Sequence, residues 1–146
     1  MAEPLKTRLQ SDLNRARKDR DRARTLVLST TLSELKNREI TNGKDASDDD
    51  VIAVLSRAIK QRREAYEQMR SGGREELAAK EEAEAGILQE YLPEPMTEEE
   101  VRVLVREAIV GGAEQMGAVM GRLMPLIKGR FDGKEANRIV REELAP

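Results

Sequence analysis

The sequence predicts an all-α protein in two parts: an N-terminal bundle or hairpin of long helices, then a small C-terminal three-helix domain. Three observations predict it. Apolar residues recur at three- and four-residue spacing through most of the chain, the period of an amphipathic helix. No segment alternates apolar and polar residues as a half-buried strand does. The aromatic residues are only Tyr66, Tyr91 and Phe131, with no Trp, so the core must come from Leu, Ile, Val, Met and Ala. Those side chains suit helix–helix packing, and the larger ones contribute roughly 1.5–3 kcal/mol each when fully buried.

The first helix is expected from Pro4 to about Lys18, with Leu5, Leu9, Leu13 and Ala16 on one face. The second runs from about Asp21 to Glu39, turns Leu28, Leu32 and Leu35 inward, and stops near Thr41-Asn42-Gly43. Ser47 caps the third, and Asp48, Asp49 and Asp50 fill its first turn, where the helix dipole favours negative charge. Its stripe is Val51, Val54, Leu55, Ala58, Ile59, Ala65, Tyr66 and Met69, and it ends at Ser71-Gly72-Gly73. Glu64 four residues after Lys60, and Glu67 four after Arg63, predict local ion pairs along it. The fourth helix, Arg74 to about Tyr91, is rich in Ala and Glu. Its strong apolar residues are Leu77, Ile87 and Leu88, so it is expected to project or to bridge two packed units.

Pro93 and Pro95 interrupt the helical pattern. They set the expected division: residues 1–92, a Pro-containing linker at 93–96, and a domain at 97–146. Thr97 and Glu100 make a capping box, and the fifth helix turns Val101, Leu104, Val105, Ala108 and Ile109 inward before Gly111-Gly112. The sixth is expected to bury Val119, Met120, Leu123 and Met124, and Pro125 to end or kink it. Asp132 to Glu135 reads as a second capping box. It opens a last helix with Ala136, Ile139, Val140 and Leu144 on its apolar face.

Composition excludes much chemistry. Cys and His are both absent, which removes thiol nucleophiles, imidazole bases, disulfides and every zinc site built from those residues. No nucleophile motif is present, and the acidic runs Asp48–Asp50 and Glu98–Glu100 sit in helix first turns, so no catalytic residue, metal or cofactor is expected. No apolar run approaches the roughly 18 residues of a membrane span, and the N-terminus shows no signal-peptide apolar region. A cytoplasmic protein with no membrane partner is the expectation. The formal net charge of −2 argues for no class of partner.

Two basic stretches remain. Between residues 115 and 141 the chain carries Arg122, Lys128, Arg130, Lys134, Arg138 and Arg141 against Asp132 and Glu135. Lys134, Arg138 and Arg141 share one face of the last helix, and a helix start with a basic face suits phosphate. A solvated outer face opposite Ile139 and Val140 fits the same pattern. The glycines here read as structural: Gly129 as a left-handed helix terminator, Gly117 and Gly121 as a face that lets another helix approach. A phosphate loop at Gly129-x-x-x-Gly133-Lys134 fails, because the spacing is one short, Glu135 replaces Ser or Thr, and no strand precedes it. The second stretch is Arg15, Arg17, Lys18, Arg20, Arg22 and Arg24, diluted by Asp19 and Asp21, at the junction of the first two helices. It suits either a phosphate backbone or a solvated junction.

The tail Met116 to Pro125, then Lys128-Gly129-Arg130, Asp132-Gly133-Lys134 and Asn137-Arg138, resembles the YqeY family. Lys36 to Ile40, Lys60 to Arg63, Ala78 to Glu81 and Glu90 to Pro93 agree with it. The resemblance implies an all-helical two-part protein whose C-terminal part is similar to the tail of GatB, the tRNA-holding subunit of the tRNA-dependent amidotransferase. By that motif Gly117, Met120, Lys128, Gly129, Arg130, Asn137 and Leu144 carry over, with Asp132 and Gly133 as structural residues of the joint. The expected function is a tRNA-binding accessory protein, with an amidotransferase or aminoacyl-tRNA synthetase as partner. A carbon–nitrogen ligase label with glutamine as amide donor is implied by homology only, since the residues for that chemistry are not in this chain. The rival expectation is a helical protein-interaction module.

Overall fold

The computed structural model describes residues 3–146. Seven α-helices and no strand are found among them. The chain up to Leu92 forms one compact unit and Pro93–Pro146 another.

The N-terminal unit holds α1 (Leu5–Lys18), α2 (Arg22–Asn42), α3 (Asp48–Ser71) and α4 (Glu75–Gln89). Asp21 caps α2 by accepting from the Arg24 N–H, and Gly43, at φ 71°, ends it. Ser47 and Asp50 form a reciprocal capping box on α3. Leu9, Leu28, Leu35, Val51 and Leu55 are fully buried at the centre of one core. Glu39 is buried too, accepting from Lys6 Nζ at 2.6 Å and from the Ala46 N–H at 2.7 Å. Its pKa is lowered by the Lys6 bond first and the backbone bond second.

Two expectations for this unit need correction. Helix α4 does not project: it lies along α3, with Ala78, Ala85 and Leu88 buried and Leu77 exposed. Alanine reads as weak core in a sequence, yet its small side chain is what lets two helices approach closely. The basic residues of α3 also reach across the hairpin. Arg62 Nε meets Glu84 at 3.3 Å, and Arg63 donates to Gln89 Oε1 at 3.3 Å, where Glu67 had been expected.

The C-terminal unit holds α5 (Glu98–Val110), α6 (Met116–Ile127) and α7 (Gly133–Leu144). The Thr97–Glu100 box caps α5. Val101, Val105, Val119, Leu123, Ile127 and Ile139 are fully buried or nearly so and form its core. Helix α6 runs two residues beyond Pro125, because Ile127 is buried in that core and its carbonyl accepts the N–H groups of Arg130 and Phe131. Met124, expected inside, is 41% exposed, and Ile127 takes the inward place. Only half of the Asp132 box is seen. Asp132 accepts from the Glu135 N–H at 3.4 Å, while the Glu135 carboxylate is held by Arg138.

One turn type occurs three times. After α1, α3 and α5 the chain closes with a paired Schellman hydrogen bond: Asp21 N–H to Ala16 O, Arg74 N–H to Met69 O, Ala113 N–H to Ala108 O, each enclosing an inner bond from the preceding N–H. The left-handed residue is Gly73 in the second and Gly112 in the third, but Arg20, at φ 57°, in the first. A side chain in that region costs about 1–2 kcal/mol.

Candidate nucleic-acid interface

The six basic residues expected to face RNA from the tail divide into two groups. Arg122 Nη1 donates to the carbonyls of Ala108 and Gly111 at 3.3 and 3.0 Å, so it caps the C-terminus of α5. Arg130 Nε donates to the Glu94 carbonyl at 2.8 Å, and its own carbonyl accepts from the Met96 N–H at 2.9 Å. Arg130 thereby fastens the proline segment to the α6–α7 joint. Arg138 is ringed by carboxylates: Glu98, Glu135 at 2.9 Å and Glu142 at 2.6 Å. Its hydrogen bonds to Glu98 first and to Glu135 second raise its pKa.

Lys128, Lys134 and Arg141 remain exposed. Lys128 is the residue after α6, Lys134 lies in the first turn of α7, and Arg141 in its last. Lys134 and Arg141, seven residues apart, sit two turns apart on one face, about 10 Å along the axis. Arg141 donates to Asn137 Oδ1 at 2.6 Å, which leaves its charge uncancelled and gives Asn137 a positioning role.

The glycines behave unequally. Gly129, at φ 71°, terminates α6 in the left-handed region as its sequence position suggests. No helix of this chain makes a close approach to Gly117 or Gly121, since a Cβ at either would meet nothing within 4 Å. Gly133 opens α7 behind its cap Asp132, and Met120 is half-buried against the core.

A sequence window hid the carboxylates that neutralise Arg138. Glu98 lies forty residues upstream and Glu142 just outside the basic stretch. Over Pro93–Pro146 there are eight Lys and Arg against ten Asp and Glu, so the unit is not basic as a whole. Arg102 joins the same network through Glu142 at 3.2 Å and Glu143 at 3.5 Å. Glu98 and Glu142 have lowered pKa values, the first mainly by its bond from Arg138, the second mainly by its bond from Arg102.

The family model for Yqey-like proteins matches residues 6–144. The chain belongs to the YqeY family. It is 31% identical over 141 residues to altered inheritance of mitochondria protein 41, mitochondrial, of Pyrenophora tritici-repentis, covering 92% of this chain and 78% of that one. The Saccharomyces cerevisiae protein of the same name is 31% identical over 85 residues, 58% of this chain and 46% of its own length. An uncharacterized protein of Schizosaccharomyces pombe is 36% identical over 77 residues, 53% and 63% of the two chains. The chain thus spans about half the length of the Saccharomyces relative that it matches.

In this YqeY-family chain the N-terminal motif residues are largely scaffold. Glu39 ties α2 to α1 and to the α2–α3 connection, as described above. Tyr91 is buried and donates its hydroxyl to Asp12, while Arg8 lies over its ring at 4.7 Å from the centroid. Burial first, and the Asp12 bond second, raise the Tyr91 pKa. Arg24 meets Glu90 at 2.8 Å, so the end of α4 is clamped by α1 and α2. Among the described residues there is no group of three or more Asp or Glu placed to hold a metal ion, and no helix long and apolar enough to cross a membrane.

Proposed function

We propose that this family member is a tRNA-binding accessory protein without chemistry of its own, related to the tail of the amidotransferase subunit GatB and working beside an amidotransferase or an aminoacyl-tRNA synthetase. The observation that carries the reading is the exposed set Lys128, Lys134 and Arg141: Lys128 follows α6 at a motif position that resembles that tail, and Lys134 and Arg141 share one face of α7. Arg122 and Arg130, held by backbone carbonyls, and Arg138, held by carboxylates, are set apart from the contacts. Amide-bond transfer, with glutamine as amide donor, is left to the partner. A cytoplasmic location is part of the proposal. The word mitochondrial in the names of two relatives describes those proteins, and cell fractionation tests the location for this one.

The test is tRNA binding at two salt concentrations by the full chain and by a Lys128→Ala/Lys134→Ala/Arg141→Ala variant. The expected result is a loss of at least about tenfold and a salt dependence shallower by about one unit per phosphate contact removed. No binding at low salt, or no loss in the variant, overturns the reading. A protein-interaction role has one observation in its favour: Val103 and Val110, seven residues apart on α5, are 50% and 88% exposed. It predicts binding to a protein partner that is insensitive to salt and to the three substitutions.

A further inference from the structure

The α1–α2 turn sorts its mixed run of charges by side. Asp19 and Asp21 line a pocket shared with Arg8, Asp12, Arg15, Arg24, Glu90 and Tyr91, where four carboxylates meet three guanidinium groups. The other side of the turn is a groove lined by Arg17, Arg20, Arg22, Thr25, Leu26 and Ser29, with no carboxylate. We propose that this groove binds the phosphodiester backbone of an RNA strand, as a site of its own apart from the tail.

Two of the three arginines there are placed against local preference. Arg20 holds a left-handed position that the two sister turns give to glycine. Arg22 is the first residue of α2, where the helix dipole disfavours a cation. Arg17, Arg20 and Arg22 crowd three guanidinium groups into one groove, and none has a carboxylate partner among the described residues. Residues that break local rules without a structural return mark functional positions. A polyanion in the groove would supply the missing return.

The donor set fits phosphate. A guanidinium presents a planar fork that matches two phosphate oxygens. Thr30 and Thr31 donate their hydroxyls to the carbonyls of Leu26 and Val27, whereas Thr25 and Ser29 make no such bond and stand one helical turn apart along the groove. Leu26, 55% exposed between them, offers an apolar contact for a sugar or base. One leucine is too little apolar surface to anchor the chain in a bilayer, which favours RNA over an anionic lipid surface.

The inference rests on the RNA-binding reading for its ligand, but not on the tail for its site. The test uses the full chain, labelled tRNA, and an Arg17→Gln/Arg20→Gly/Arg22→Gln variant beside the tail variant. The groove variant is expected to lose at least about tenfold in affinity, with a salt dependence shallower by about two to three units. Its melting temperature should hold, because glycine suits the φ of Arg20. Equal binding by wild type and groove variant overturns the groove. Loss in the groove variant alone supports it and overturns the tail reading, while loss in the tail variant alone does the reverse. Loss in both supports both. No binding of tRNA by wild type at low salt, or capture of phosphatidylserine vesicles through the same arginines without tRNA binding, overturns the groove as an RNA site.

Discussion

Two basic stretches, residues 15–24 and 122–141, each carry six Lys and Arg against two acids, and the fold uses them differently. In the tail, Arg122 closes a helix end, Arg130 fastens the proline segment, and Arg138 sits among three carboxylates. Among the described residues of the α1–α2 turn, Arg24 alone meets a carboxylate from beyond the turn, Glu90 at the end of α4, while Arg17, Arg20 and Arg22 gather on a side free of acids. The difference teaches that charge density along a sequence says little about charge available to a ligand. What decides is which acids the fold brings in from elsewhere.

The comparison can be broken most strongly in the tail. If its arginines are scaffold, their loss and the loss of core side chains belong on one scale. Ile139→Ala sets the top of it: the side chain is fully buried, and urea denaturation should show a loss of about 2–5 kcal/mol. Arg122→Ala leaves two exposed helix-end carbonyls to water and should cost about 1 kcal/mol. A neutral effect of Arg122→Ala on stability, joined to weaker tRNA binding, would move Arg122 back into the interface.

The helices were legible in the sequence because their signals are local. Thr97 with Glu100, Ser47 before three aspartates, and glycine at 43, 73 and 112 act within a few residues. The interface was less legible because its determinants are not local. The periodicity of α7 tells which face of the helix is apolar, but not that Glu98 on α5 will reach Arg138. Alanine at 78 and 85 carries no strong hydrophobic signal, so the burial of α4 was invisible until α3 was placed against it. Arg20 could have been noticed: a helix stop before Asp21 with no glycine nearby requires some other residue in the left-handed position.

A mirrored pair of substitutions sharpens the comparison between turns. Gly112→Ala puts a Cβ at φ 107°, where it meets no neighbour within 4 Å, so the cost is backbone strain alone, about 1–2 kcal/mol. Arg20→Gly relieves similar strain but adds the entropy of a glycine in the unfolded chain, for a net gain of up to about 1 kcal/mol. Opposite signs in thermal unfolding would mark Arg20 as a residue kept at the expense of stability. A loss of stability in Arg20→Gly would instead mean that its side chain is part of the scaffold.

The smallest effect is electrostatic and lies on the acid side. Glu98 and Glu142 have pKa values below those of free carboxylates, through Arg138 and Arg102. Their contribution is present above the unfolded-state value of about 4.3 and is lost as pH falls through the lowered folded values. In Arg138→Gln the carboxylates return toward their ordinary range, so the variant is less stable than wild type at neutral pH and the two melting temperatures converge on acidification. Glu39 in the N-terminal unit titrates with the same sign in both proteins, so the difference between them isolates the tail network. Affinity for tRNA should stay unchanged in Arg138→Gln, because a guanidinium already matched to three carboxylates has little charge left to offer a phosphate. A tRNA-binding defect as large as that of the Lys128/Lys134/Arg141 variant would show that RNA displaces those carboxylates, and that the two arginine-rich stretches are more alike than their pairing suggests.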